Sequence, residues 1–206
     1  MDQASQILEQ LSEQARLQED ELTQLPRWAL VALAARCARR AQPLFSSDWP
    51  DAPEEFKQSI DEALALTEAS AANAEVDERL PTAGQLAGNT ATTAGNLTAR
   101  FASFTVAFAA VNAANVANAE NNDTAVAFVQ ATADSCHKSA TFASVRSSLL
   151  KGSSTAVAAA FNKEMRADFN ALLNMSRRNE WSDSSPVNPD ELGPLWRDPP
   201  AGLTEA

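Results

Sequence analysis

From Trp28 to Ala35 the chain reads WALVALAA, apolar without a break, until Arg36, Arg39 and Arg40 close the run. A helix on a protein surface interrupts such a run with polar residues every second or third position. This segment is therefore predicted as a helix enclosed on all sides, the central member of a bundle. A membrane span needs about 20 apolar residues, more than the run offers. Pro26 suits the first turn of the central helix, and Pro43 is expected to bend or stop it.

The remaining stretches each carry a single apolar stripe. Ala4, Ile7, Leu8, Leu11 and Ala15 recur at helical spacing and predict an amphipathic first helix. Phe56, Ile60, Ala63 and Leu64 predict another, opened by Asp51 and Glu54 in the manner of a capping box. Pro81 opens a segment rich in Gly and Thr, and Phe101 to Ala119 an Ala-rich helix with Phe104, Phe108 and Val111 as its bulky members. Asp123 is a good N-cap for a helix from Thr124 to about Leu149. Val157, Phe161, Met165, Phe169, Leu172 and Leu173 form the core face of a last helix, from Thr155 to about Arg178. The expected fold is all-α: one bundle of about six to seven helices over residues 1–178.

From Asn179 the pattern breaks down into WSDSSPVNPDELGPLWRDPPAGLTEA, with five prolines and two tryptophans. Trp181, Val187, Leu192, Leu195 and Trp196 are too apolar for a simple disordered tail. Asn188 to Glu191 can start one helical turn, ended by Gly193-Pro194. Residues 179–206 are thus expected to form an extended C-terminal strap anchored by the two indoles, or else a recognition peptide for a partner.

Composition sharpens this picture. Alanine makes up about a fifth of the 206 residues, which favours helix over sheet. The net charge of −11 argues against nucleic acid or an anionic membrane as the main partner. It suits a cytoplasmic protein, or one that meets a basic partner. Two cysteines are too few for a disulfide framework, and Cys37, on the central helix just past the apolar run, is expected to be a buried reduced thiol.

Candidate chemistry is sparse. No phosphate loop, dinucleotide fingerprint, nucleophile elbow, HExxH or CxxC pattern is present, so neither a cofactor nor a metal is expected, and the chain does not read as an enzyme. His137 is the only histidine; Asp134 lies one helical turn before it, as in half of a di-iron carboxylate site, but a second His is lacking. Arg36, Arg39 and Arg40 fit an anion clamp, or pairing with internal carboxylates and helix C-terminal carbonyls. Glu54, Asp61 and Glu68 recur every seven residues as an acidic ridge, either the wet side of a helix or a partner-binding surface. Gly84, Gly88, Ala91 and Gly95 fall in one stripe. Each Gly costs roughly 1 kcal/mol of helix stability, so the stripe implies a backbone packed unusually close. That neighbour is a helix of the same chain or, as a self-association seam, a second copy. Asn112, Asn115 and Asn118 mark either a polar groove or a solvated edge.

Trp28-Ala29, Cys37-Ala38 and Pro43-Leu44-Phe45, followed by a Pro-containing corner and an acidic helix centred on Ile60, resemble the opening of the helical immunity proteins of bacterial polymorphic toxin systems. The match covers roughly residues 26–70; beyond it the similarity is compositional, and Ala-Asn pairs stand where that family often repeats Ala-His and Ala-aromatic pairs. The resemblance implies a small protein without catalysis that binds and blocks a toxin domain. An acidic surface facing a cationic nuclease cleft would speed such an encounter. An adaptor or assembly subunit of a bacterial defence or signalling complex is the alternative, and a third reading is an enzyme using an Asp/Glu/Arg chemistry that the sequence does not reveal.

Overall fold

The computed structural model describes residues 16–96, 101–146 and 154–197. The expected first helix and the end of the strap lie outside the described residues. Within them there are seven α-helices and no strand: α1 (Glu19–Leu22), α2 (Arg27–Asp48), α3 (Glu54–Asn73), α4 (Leu80–Asn96), α5 (Phe101–Asn118), α6 (Asn122–Arg146) and α7 (Ser154–Asn179), followed by one 3-10 turn at Pro189–Leu192. The chain is an all-α bundle, and no described helix is long and apolar enough to cross a membrane.

The uninterrupted apolar run sits at the centre. Every residue from Trp28 to Ala38 on α2 is buried, and α2 packs against α3, α5, α6 and α7. Burial on all sides is the physical return on a helix with no polar face. Pro26 is the N-cap rather than a first-turn residue, and the carboxylate of Asp183, on the strap, accepts from the Arg27 backbone N–H at 2.9 Å. That places an anion at the positive end of the central helix.

Pro43 does not end α2. The helix runs on to Asp48, because Leu44 and Phe45 beyond the proline are buried and Trp49 N–H still reaches the Phe45 carbonyl at 2.8 Å. Burying two large apolar side chains, worth about 1.5–3 kcal/mol each, is enough to offset the one backbone bond that proline deletes. Trp49 closes the corner, its ring 5.9 Å from Phe45 and 5.6 Å from Phe56.

Two caps differ from expectation. α3 begins at Glu54 with Pro53 as its N-cap and no side-chain cap, so Asp51 and Glu54 do not form a capping box. α6 begins one residue before Asp123, and Asn121 Oδ1 accepts from Thr124 N–H at 2.9 Å, so Asn121 caps this helix. Asn and Asp cap equally well, and the Asn-rich turn left several choices open.

The interior of α5 is almost wholly alanine and valine: Val106, Ala107, Ala109, Ala110, Ala113, Val116 and Ala117 are buried. Small side chains let the backbones of α2, α4 and α6 come close. Buried hydroxyls tie these helices together, Ser59 to Thr90 at 2.8 Å between α3 and α4 and Ser139 to Thr105 at 2.8 Å between α6 and α5.

Candidate functional site

Between α4 and α5 lies an open groove of about 520 Å³. The helices are antiparallel, with Gly84 opposite Ala114 and Gly88 opposite Val111. A Cβ on Gly84 would come within 3.3 Å of the Ala114 Cβ, so the glycine allows a close approach that another residue would push apart. Gly84, Gly88 and Ala91 therefore face α5 of the same chain; the surroundings of Gly95 lie outside the described residues. Above this small-residue floor stand Phe104 and Phe108, one turn apart on α5, stacked with centroids 5.9 Å apart. Phe108 is 43% exposed. Gln85, Asn89, Asn115 and Asn118 form the rim, and among the described residues none that lines the groove is charged. The asparagine series thus divides: Asn115 and Asn118 line the groove, while Asn112 turns into the core.

The acidic ridge is partly neutralised from within. Arg39 on α2 donates through Nε and Nη2 to the two oxygens of Glu68, each at 2.9 Å, and through Nη1 to Asp61 at 2.6 Å. The Arg39 hydrogen bond holds the Asp61 carboxyl below the usual carboxylate range, although partial burial pushes the other way. Glu54, at the far end of the ridge, is exposed and sits 3.7 Å from Lys57 Nζ. Sequence spacing brings the three carboxylates onto one face, but two of them share a guanidinium.

Arg36 and Arg40 point the opposite way and hold the strap. Arg36 donates to Asp168 at 2.8 Å and to the carbonyls of Pro189, Gly193 and Pro194 at 3.0–3.1 Å. Arg40 donates to the same Asp168 oxygen and to the Leu195 carbonyl at 2.5 Å. Arg197, on the strap, bridges Glu164 at 2.8 Å and Asp168 at 3.0 Å on α7. Asp168 is fully buried. Burial pushes its carboxyl up, but Arg40 and Arg36 outweigh that and hold it below the ordinary range.

The strap is thus held through its backbone carbonyls as well as by the two indoles, both of which pack against the core. Trp196 contributes an edge contact with Phe161 at 4.7 Å, and Trp181 is half-buried. Val187 N–H adds a bond to the Ala71 carbonyl at the end of α3, at 2.8 Å.

Glu164 and Asp168 were not among the residues singled out from sequence. Their signal was present: they interrupt the apolar stripe of α7 at the spacing Phe161, Glu164, Met165, Asp168, Phe169. A carboxylate inside a core-facing stripe requires a buried cation, and Arg36 and Arg40 on the central helix supply it.

His137 and Asp134 line one small pocket with Arg16, Asn162 and Met165, and Arg16 pairs with Asp134. Among the described residues no cluster of three His, Cys, Asp or Glu could hold a metal ion. Both cysteines are buried free thiols; Cys136 Sγ donates to the Cys37 carbonyl at 3.3 Å, and burial pushes the Cys136 thiol well up. No family model matches the chain, and neither does any curated protein or solved structure.

Proposed function

We propose that the protein is a non-catalytic binding protein that neutralises a basic toxin domain by direct contact, in the manner of an immunity protein. The observation that carries this reading is the open, uncharged groove with the Phe104–Phe108 stack, set on a chain of net charge −11. Phe108 is the exposed ring of the pair, backed by a half-buried Phe104. An exposed aromatic costs hydration unless a partner covers it, and aromatic anchors dominate the energy of protein interfaces. The chain's net negative charge attracts a cationic partner, and the described lining of the groove carries no charge that must be desolvated beneath it. The strongest convergence of charged side chains, around Asp168, is packed under the strap and is occupied in holding it.

The test is growth protection. The product of the reading frame adjacent to this one is expressed in a bacterial host with and without the protein. Co-expression is expected to restore growth, and Phe108→Glu, which alters an exposed side chain, is expected to abolish protection while leaving the melting temperature unchanged. Absence of protection by the wild-type chain overturns the reading. The charge reversal Glu54→Lys with Asp61→Lys resolves the part played by the ridge: an unchanged affinity and an unchanged salt dependence remove it from the interface.

A further inference from the structure

We infer that the α4/α5 groove receives an amphipathic α-helix of the partner, oriented so that Lys or Arg at one end meets the mouth formed by Leu80 and Asn118. This rests on the protein-binding reading above and specifies what the groove takes and in which direction.

The case for a helix comes from the backbone. Both walls are α-helices, whose N–H and C=O groups are already bonded along their own axes. An extended peptide lying there would find no sheet edge and would bury unpaired backbone groups. A helix brings its own hydrogen bonds and presents only side chains. The groove runs from Leu80 to Thr92 along α4, about 18 Å at the helical rise of about 1.5 Å per residue. That accommodates roughly three turns of a partner helix. The floor at Gly84, Gly88 and Ala91 lets such a helix settle deeply, and the Phe104–Phe108 stack supplies the apolar wall.

The direction comes from charge. Because α4 and α5 are antiparallel, the start of α4 and the end of α5 meet at the same mouth, and their helix dipoles oppose one another. Side chains then decide the local field. Asp77 and Glu78 precede Leu80, and Glu120 and Asp123 follow Asn118. Two cations stand at this end against the four carboxylates: Arg79, paired with Asp77 at 2.9 Å, and Arg27, whose guanidinium is taken up by the Ala117 carbonyl at 2.8 Å. Glu78, Glu120 and Asp123 are exposed. Among the described residues the opposite end, at Thr92 and Phe104, is lined by uncharged side chains. A cationic end therefore belongs at the Leu80–Asn118 mouth and an apolar end beside the phenyl rings.

The experiment uses the full chain and two fluorescein-labelled synthetic helical peptides, each with a Leu/Ala stripe, one ending in Lys-Lys and the other in Glu-Glu. Fluorescence anisotropy is expected to show saturable binding of the Lys-ended peptide, weakened about tenfold or more by Phe108→Glu. The Glu-ended peptide is expected to bind more weakly, and Glu78→Lys with Glu120→Lys is expected to reverse that preference. Equal binding to wild type and Phe108→Glu, no binding of either peptide, or indifference to the charge reversal overturns the inference. So does a concentration-dependent dimer in sedimentation that Phe108→Glu dissolves, since the groove would then be occupied by a second copy. Growth protection that survives alongside any of these results leaves the binding function standing and removes only the groove's helix.

Discussion

Asp168 is the residue on which the inner ion network turns. Its two oxygens serve three guanidiniums, those of Arg36, Arg40 and Arg197. Its folded carboxyl titrates below the ordinary value, so the ionised form stabilises the fold fully above the unfolded pKa of about 3.9. That contribution is lost as pH falls through the lower folded value. Asp168→Asn keeps the shape but leaves two buried guanidiniums facing a neutral amide, and is expected to cost about 3–5 kcal/mol near neutral pH. Urea unfolding of wild type and variant should show this gap at pH 7 and a narrowing gap below about pH 4, where the unfolded chain takes up a proton that the folded carboxylate still resists. A gap independent of pH would mean that the ionised carboxylate is not what matters.

At the scale of elements, the α4–α5 contact shows how one sequence feature produces two consequences. The Gly/Ala stripe was legible as a place of close approach, because glycine in a helix needs a return for its cost. Which backbone came close was not legible, since a small-residue stripe looks the same toward a neighbour in the chain or toward a second copy. The two glycines should now respond differently. A Cβ on Gly88 would meet Val111 Cγ2 at an ordinary 3.8 Å, so Gly88→Ala is expected to stabilise the protein by up to about 1 kcal/mol through helix propensity alone. Gly84→Leu must force α4 away from Ala114 and is expected to destabilise by about 1–3 kcal/mol. Thermal unfolding of the two variants checks both signs. Helix ends were less legible than helix bodies. Pro43 reads as a stop by local rules and yields to the burial of Leu44 and Phe45, a tertiary effect absent from any local window.

Over the whole molecule, the all-helical architecture and its innermost rod followed directly from WALVALAA and the stripes around it. The candidate groove did not. Phe104 and Phe108 sit in an Ala-rich helix whose sequence is apolar on nearly every side, so periodicity could not tell an outward phenyl from an inward one. The strap was visible as a change of composition, but its fastening through carbonyls was not, because these groups carry no residue signature. Arg36→Met removes the donor to three of those carbonyls and is expected to release the segment. Limited proteolysis should then cut between Ser182 and Arg197 about tenfold faster or more, with far-ultraviolet circular dichroism retained. Unchanged cutting would assign the strap's hold to its apolar side chains instead.

The grip of Arg36 and Arg40 on Pro189 to Leu195 joins positions more than 150 residues apart. A chain leaving the ribosome exposes those arginines long before their acceptors exist, and synthesis runs at only about 5–20 residues per second. For several seconds the nascent bundle must therefore carry two cations on its central rod with no carbonyls to meet them. Completion of the interior thus waits on the emergence of residues 189–195 rather than on the collapse of the helices alone.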